Sequence, residues 1–133
     1  MGTTEQNTEN DTVPEVAGRL IGAIEAGDFD GFLACYAPGA VIWHNNDNLE
    51  QDPATVVKVL GWLRKRVDGL RYEELRVQPT PSGYVEQHVL RGTARDGSKL
   101  EVPACLVVTV ADGLITRLDE YIDTAGVAHL TSL

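Results

Sequence analysis

Residues 114–123 read LITRLDEYID, a stretch with the two-residue alternation of a β-strand. The mostly apolar face of this strand carries Leu114, Thr116, Leu118, Glu120 and Ile122. The other face carries Ile115, Arg117, Asp119, Tyr121 and Asp123. We expect the apolar face to look into the core, with Glu120 as its one charged group. Burying an unpaired carboxylate is costly, so the pattern predicts that Glu120 is paired, protonated or functional.

Three predicted strands come directly before this one. The segments 70–78, 84–94 and 99–111 have strand-like composition, and the chain turns between them at residues 79–83 and at Asp96-Gly97. Asp112-Gly113 leads into the last strand, and both Asp-Gly pairs are typical of tight hairpin turns. We therefore expect the second half of the chain to form consecutive antiparallel strands.

Two helices are predicted at the start of the folded region. Thr12, followed by Glu15 three residues later, is typical of a capping box, and Gly27 is expected to end this first helix. Asp28 is expected to cap a second, short helix, which Pro38-Gly39 would stop.

A strand and a third helix come next. Residues 40–44 read as the strand, and residues 45–52 read as a polar loop. Asp52 is a typical cap, Pro53 suits a first helical turn, and the helix is expected to run to about Val67, with Gly69 as its end.

Three helices followed by a bent antiparallel sheet make an α+β arrangement. Such a sheet can curl around the helices and leave a cavity between the two layers, which is the usual kind of small-molecule site. We expect one domain over residues 12–125, a disordered polar tail over residues 1–11, and a C-terminal tail over residues 126–133 that packs loosely or reaches a partner subunit.

Composition excludes several classes of protein. A net charge of −9 and a pI near 4.6 oppose binding to nucleic acid or to an anionic membrane. The sequence shows no apolar run long enough for a membrane span and no signal-peptide pattern at the N-terminus. No glycine-rich phosphate loop and no metal-ligand spacing is present. We therefore expect a cytoplasmic protein with no cofactor, no nucleic-acid partner and no membrane partner.

His44 is the first candidate for chemistry. It ends the strand at 40–44, on the face of Ala40 and Ile42, where it would lie at the mouth of a cavity. Imidazole titrates near neutral pH and serves as a general acid or base. The alternative is a histidine that only closes the strand and bonds to the following loop.

Glu86 and His88 form the second candidate. They are two residues apart on one predicted strand, so both side chains lean from the same face and can hydrogen-bond. The alternative is an exposed polar ladder, because the opposite face of this strand is only slightly more apolar. Alternation therefore leaves the direction of this pair open.

Four short motifs carry a resemblance to a known superfamily: EAGDF at 25–29, YAPGAV at 36–41, DGLI at 112–115 and DEY at 119–121. With these motifs the chain resembles the nuclear transport factor two-like superfamily, which includes SnoaL-like, ketosteroid-isomerase-like and limonene-epoxide-hydrolase-like proteins. The resemblance implies a cone-shaped α+β barrel. In it, three N-terminal helices pack in the concave face of a strongly bent, mixed, mostly antiparallel sheet. It also implies a homodimer formed through the outer face of the sheet.

The resemblance adds roles for four residues. His44 falls where ketosteroid isomerases hold a general-base aspartate and epoxide hydrolases hold a water-binding asparagine. Glu120 falls at a catalytic aspartate of the hydrolases. His88 falls near their other catalytic aspartate, and Glu86 falls near the arginine between the two.

The chain also departs from these enzymes. Leu20 stands where ketosteroid isomerases hold an oxyanion-hole tyrosine, and Leu106 stands near the position of their second acid. Steroid isomerisation by that mechanism is therefore not expected. No arginine matches the one in the acid pair of the hydrolases, so a His–Glu pair would have to replace the usual activation of water.

Three hypotheses for function follow. The first is an enzyme for cofactor-free isomerisation, dehydration or cyclisation of an apolar cyclic molecule, with His44 moving a proton and Glu120 and His88 as partner acid and orienting group. The second is hydrolysis of an epoxide by a water held between His44, Asn46 and Glu120. The third is a small-molecule binding protein without chemistry. The residues predicted to bind the ligand are Leu20, Ile24, Phe32, Ile42, Asn46, Leu60, Glu86, Leu106, Leu118 and Ile122.

Overall fold

A computed structural model describes residues 12–128. The expected tail over residues 1–11 and the last part of the expected C-terminal tail, residues 129–133, lie outside the described residues. The helices are α1 (Glu15–Ala26), α2 (Phe29–Ala34) and α3 (Pro53–Arg64), and a short 3₁₀ turn covers Thr124–Gly126. The strands are β1 (Tyr36–His44), β2 (Glu50–Gln51), β3 (Val67–Thr80), β4 (Gly83–Ala94), β5 (Lys99–Ala111) and β6 (Leu114–Ile122).

One six-stranded sheet with the order β2-β1-β6-β5-β4-β3 forms the main layer. Strands β1 and β6 run parallel, and the other neighbours run antiparallel. The sheet is strongly curled without closing, and the helices pack in its concave face to form one hydrophobic core. The predicted α+β fold with a bent, mixed, mostly antiparallel sheet is confirmed. No helix within residues 12–128 is long and apolar enough to cross a membrane.

Helix α1 buries its apolar side against the sheet and ends where predicted. Gly27 adopts the left-handed conformation (φ 70°), and its N–H donates to carbonyls in the last turn of the helix. The predicted cap at Thr12 is wrong. Pro14 occupies the cap position without a side-chain hydrogen bond, because the helix begins at Glu15 and Thr12 lies too far upstream to reach its first N–H groups.

Helix α2 is capped as predicted but is shorter. The Asp28 carboxylate accepts a hydrogen bond from the Gly31 backbone N–H at 2.9 Å. The helix ends at Ala34, so the prediction that Pro38-Gly39 stops it is wrong. Those two residues instead lie inside β1, where the pairing with β6 is irregular, and such an irregularity tolerates a proline and a glycine at positive φ (77°).

Helix α3 also begins where predicted, with the Asp52 side chain accepting from the Thr55 N–H at 2.8 Å. It ends at Arg64, earlier than expected, because Val67 is already paired in β3. Gly69 (φ 65°) sits at a shift in the β3–β4 pairing and marks a bulge in the strand, not the end of the helix. The predicted polar loop at 45–52 contains the two-residue strand β2, which pairs with β1.

A bulge in β6 overturns part of the predicted alternation. Ile115 pairs with Val110 while Arg117 pairs with Thr109, so Thr116 is an extra residue on β6. The alternation reverses at this point. Ile115, which was expected on the outer face, is therefore completely buried, while Leu118 farther along the strand is buried as predicted.

The chain after β6 packs on the sheet as far as it is described. The 3₁₀ turn lies against β5, and a Cβ added at Gly126 would clash with the Glu101 carbonyl oxygen. Val127 packs against the hydrophobic core. Gly126 and Val127 of the expected C-terminal tail therefore pack on the domain.

Candidate active site

A cavity of about 330 Å³ lies between the helices and the concave face of the sheet. Its walls are mainly apolar side chains from all three helices and from the inner face of the sheet. All ten residues that the sequence predicts to bind a ligand line this cavity: Leu20, Ile24, Phe32, Ile42, Asn46, Leu60, Glu86, Leu106, Leu118 and Ile122. A volume of this size suits a small molecule with one or two rings.

His44 and Glu120 form a hydrogen-bonded pair at the wall of the cavity. The Nε2 atom of His44 lies 2.9 Å from the Oε1 atom of Glu120, and the side chains are 19% and 24% exposed. The two residues are direct partners in the parallel pairing of β1 with β6. Because side chains of paired residues project to the same face of a sheet, this register brings the imidazole and the carboxylate together.

Asn45 fixes the end of this strand pair, and sequence reasoning missed it. Its backbone N–H donates to the Glu120 carbonyl at 3.1 Å, and its side-chain oxygen accepts from the Ile122 N–H at 2.8 Å. The amide of Asn45 thus continues the ladder beyond the last residue of β1. An asparagine directly after a strand is the available signal, since its side chain bonds readily to backbone groups.

The surroundings of His44 favour its protonated form. The hydrogen bond to Glu120 raises the pKa of His44 above its ordinary value of 6.5, and the charges of Glu120 and Asp47 add to this, while burial opposes it. The pair can therefore hold a proton near neutral pH and release it when the solution becomes more alkaline.

Glu86 and His88 form a second pair, deeper in the molecule. The Nδ1 atom of His88 lies 2.6 Å from the Oε2 atom of Glu86, and the side chains are only 2% and 1% exposed. The imidazole stacks on the ring of Tyr72 with 4.2 Å between ring centroids. The pair therefore faces the interior and is not the exposed polar ladder that strand alternation also allowed.

Glu86 and Glu120, two of the carboxylates that line the cavity, lie at one level of the sheet. Leu106 on β5 is the direct partner of Glu86 on β4 and of Glu120 on β6. Burial raises the pKa of Tyr72 well above its ordinary range, and the charges of both Glu120 and Glu86 raise it further. The Tyr72 side chain thus lies within electrostatic reach of both carboxylates and lines the same cavity.

Two of the three predicted catalytic residues line the cavity. His44 and Glu120 line the cavity, whereas His88 is outside the set of described residues that line it. His88 lies behind Glu86 and Tyr72, where it holds one carboxylate oxygen of Glu86. Its role as a catalytic residue stays a prediction, and its position favours an orienting role.

The sequence of the chain also matches a known family. Residues 17–118 match the family model of the SnoaL-like domain. The chain therefore belongs to the SnoaL-like domain family, and the resemblance drawn from its motifs is confirmed. No curated protein matches the chain in sequence.

Solved structures with the same fold cover most of the chain. A proposed polyketide cyclase from Xanthomonas campestris pv. campestris has a TM-score of 0.72 and 18% identity, covering 83% of this chain and 89% of that chain. An epoxide hydrolase of M. tuberculosis, similar to limonene epoxide hydrolases, has a TM-score of 0.68 and 18% identity, covering 88% and 86%. A proposed SnoaL-like polyketide cyclase from Shewanella putrefaciens CN-32 has a TM-score of 0.71 and 12% identity, covering 89% and 94%. These similarities show a shared fold, so the reaction has to be argued from the site.

Proposed function

We propose that this protein catalyses cofactor-free proton transfer on an apolar, cyclic small molecule bound in the cavity. The observation that carries the proposal is the His44–Glu120 pair, which places an imidazole and a carboxylate in hydrogen-bond contact at the wall of a mainly apolar cavity. The SnoaL-like family and its structural neighbours, which include proposed cyclases, support a reaction of this class.

In this mechanism His44 exchanges the proton with the substrate. Its Nε2 atom is engaged by Glu120, which leaves Nδ1 as the ring nitrogen available to a ligand. Neutral His44 removes a proton from a carbon next to a carbonyl group, and Glu120 stabilises the imidazolium ion that forms. Return of this proton to another carbon completes an isomerisation, and loss of hydroxide with the proton completes a dehydration. Attack of the enolate on a second carbonyl of the same molecule, followed by protonation of the alkoxide, closes a ring.

The experiment is exchange of the acidic C–H protons of 2-tetralone, an apolar bicyclic ketone, into heavy water, followed by proton NMR. Wild-type protein is expected to accelerate the exchange, and His44→Ala to lose about a hundredfold of that acceleration. Glu101→Gln is the matched control, because this carboxylate lies outside the cavity lining in an ion pair with Arg91. Equal rates for wild type and His44→Ala would refute the proposal, and a bound but unreactive probe in both would favour a binding protein.

Epoxide hydrolysis is a second candidate, because polar side chains lie beside the His44–Glu120 pair. Asn46, Asp47 and Gln51 also line the cavity and can hold a water molecule near Glu120. Incubation with limonene epoxide in oxygen-labelled water separates the candidates. A labelled diol would support hydrolysis, whereas unchanged epoxide together with exchange of 2-tetralone protons would support the first proposal.

A further inference from the structure

We propose that the natural ligand of this cavity is an apolar molecule that carries a protonated amine, which binds beside Glu86 and Glu120. The inference deepens the proposed function, on which it rests in so far as the same cavity is taken as the substrate site. It concerns affinity and not chemistry, so it can be tested separately.

The charges of the cavity are the first argument. Asp47, Glu86 and Glu120 line it, and His44 is the one basic side chain among the described lining residues, none of which is lysine or arginine. The whole chain carries a net charge of −9, so the surrounding field does not reverse this local excess. An anionic ligand would be repelled from such a site, and a cation would be attracted.

Two arginines that contact lining residues of the cavity are engaged with groups other than its carboxylates. The Arg64 guanidinium donates to the backbone carbonyls of Ile24 and Glu25, at 3.2 Å each. Arg66 stacks over the Trp62 ring at 4.2 Å from its centroid and donates to the Trp62 carbonyl. Neither guanidinium pairs with a carboxylate of the cavity, so neither arginine competes with a cationic ligand for these carboxylates.

Glu86 supplies an unfilled acceptor. Its Oε2 atom is held by His88, but its Oε1 atom is buried and has no hydrogen-bond partner within residues 12–128. The Tyr84 hydroxyl, two residues away on the inner face of the same strand, is also buried and has no partner in the part of the chain that the structure describes. A buried oxygen without a donor costs free energy, and such atoms in native proteins are normally satisfied by a ligand or by water. The N–H of an ammonium group would satisfy Glu86 and neutralise its charge.

Aromatic rings give the same preference. Phe32, Tyr36 and Tyr72 line the same cavity, and Phe32 and Tyr36 pack at 5.1 Å between ring centroids. The negative face of an aromatic ring attracts cations, while its apolar surface accepts hydrocarbon. Rings and carboxylates together therefore favour an amine with apolar substituents over a neutral hydrocarbon of the same shape.

The test uses three probes of similar size, whose affinities are measured by displacement of a hydrophobic fluorescent dye from wild-type protein at neutral pH. They are the cation of N,N-dimethylbenzylamine, its neutral isostere isobutylbenzene, and the anion phenylacetate. The proposal predicts that the amine binds at least about tenfold more tightly than isobutylbenzene and that phenylacetate binds most weakly. Equal affinities of the amine and isobutylbenzene, or tighter binding of phenylacetate, would overturn it.

A variant then locates the ammonium group. Glu86→Gln is expected to lower the affinity for the amine about tenfold and to leave that for isobutylbenzene unchanged, while the control Glu101→Gln changes neither. A loss of affinity for both probes would mean that the substitution has changed the cavity itself. The proposed ligand class is then tested by the three affinities of the wild-type protein alone. If the amine shows no preference while 2-tetralone still exchanges its protons, the ligand class is wrong and the proposed chemistry stands. If the amine binds more tightly than isobutylbenzene but 2-tetralone does not exchange its protons, the ligand class stands and the proposed chemistry is wrong.

Discussion

His44 and Glu120 are joined at 2.9 Å across the parallel pairing of β1 and β6, although they are distant in sequence. The parallel register sets the two side chains side by side at the end of β1, and the Asn45 side chain holds that end to the backbone of β6. The backbone pairing therefore sets the geometry of the pair. Its chemistry depends on how far the hydrogen bond to Glu120 raises the pKa of His44.

The stability of the fold should depend on pH through this pair. Because the pKa of His44 is raised above 6.5 in the folded protein, the folded state binds the proton more tightly than the unfolded chain does. The stabilisation from His44 is therefore complete below its ordinary pKa and is lost as the pH rises through the raised pKa. Urea unfolding of wild type and His44→Gln should show a difference in unfolding free energy that is about 1 kcal/mol larger at pH 6 than at pH 9.

The control for this measurement is the same substitution made in a Glu120→Gln background. Without the carboxylate, burial opposes protonation of His44 and only the charge of Asp47 favours it, so the larger difference at pH 6 should be lost or change sign. A difference that stays about 1 kcal/mol larger at pH 6 in this background would assign the effect to another group.

Leu106 should matter far more to stability than its neighbour Val107. Leu106 is 5% exposed and separates Glu86 from Glu120 on the inner face, whereas Val107 is 43% exposed on the outer face. Leu106→Ala is expected to lower the free energy of unfolding by roughly 2–4 kcal/mol, and Val107→Ala by less than about 0.5 kcal/mol. Equal losses in thermal or urea unfolding would contradict the inward direction of Leu106.

His88 is expected to orient Glu86 and not to exchange protons with the substrate. His88→Ala would leave the buried Glu86 carboxylate without its partner, at a cost of roughly 3 kcal/mol in stability. His88→Asn keeps an N–H donor close to the position of Nδ1 and should recover part of that stability. For the folded His88→Asn protein we expect kcat for 2-tetralone exchange within about threefold of wild type, with any larger change in KM. A fall in kcat as large as that of His44→Ala would make His88 catalytic.

Local signals in the sequence predicted the elements that local chemistry controls. The caps at Asp28 and Asp52 are observed, and β5 has the predicted bounds because a tight Asp-Gly turn lies at each end. At Asp112-Gly113 both residues have positive φ (53° and 78°), as a two-residue hairpin turn requires.

Features that depend on tertiary contacts could not be predicted in this way. The bulge at Thr116 inserts one residue without a special residue type, so strict alternation placed Ile115 on the wrong face. Alternation does not predict whether Glu86 and His88 face the core or the solvent, because both faces of β4 carry polar groups. In the structure both are buried, and the His88 ring stacks on Tyr72. The meeting of His44 with Glu120 follows from a parallel register that no local pattern encodes; the sequence offers His44 only as one of several possible partners for Glu120.

The most direct test of the proposed proton transfer is the pH dependence of 2-tetralone exchange in wild type and in Glu120→Gln. Neutral His44 is the active form, so the wild-type rate should rise with pH through the raised pKa of His44, above 6.5. Removal of the Glu120 charge lowers that pKa, so the acidic limb of the Glu120→Gln profile should move to lower pH, with a reduced plateau. An acidic limb at the same pH in both proteins would contradict the assignment of His44 and Glu120 as the proton-transfer pair.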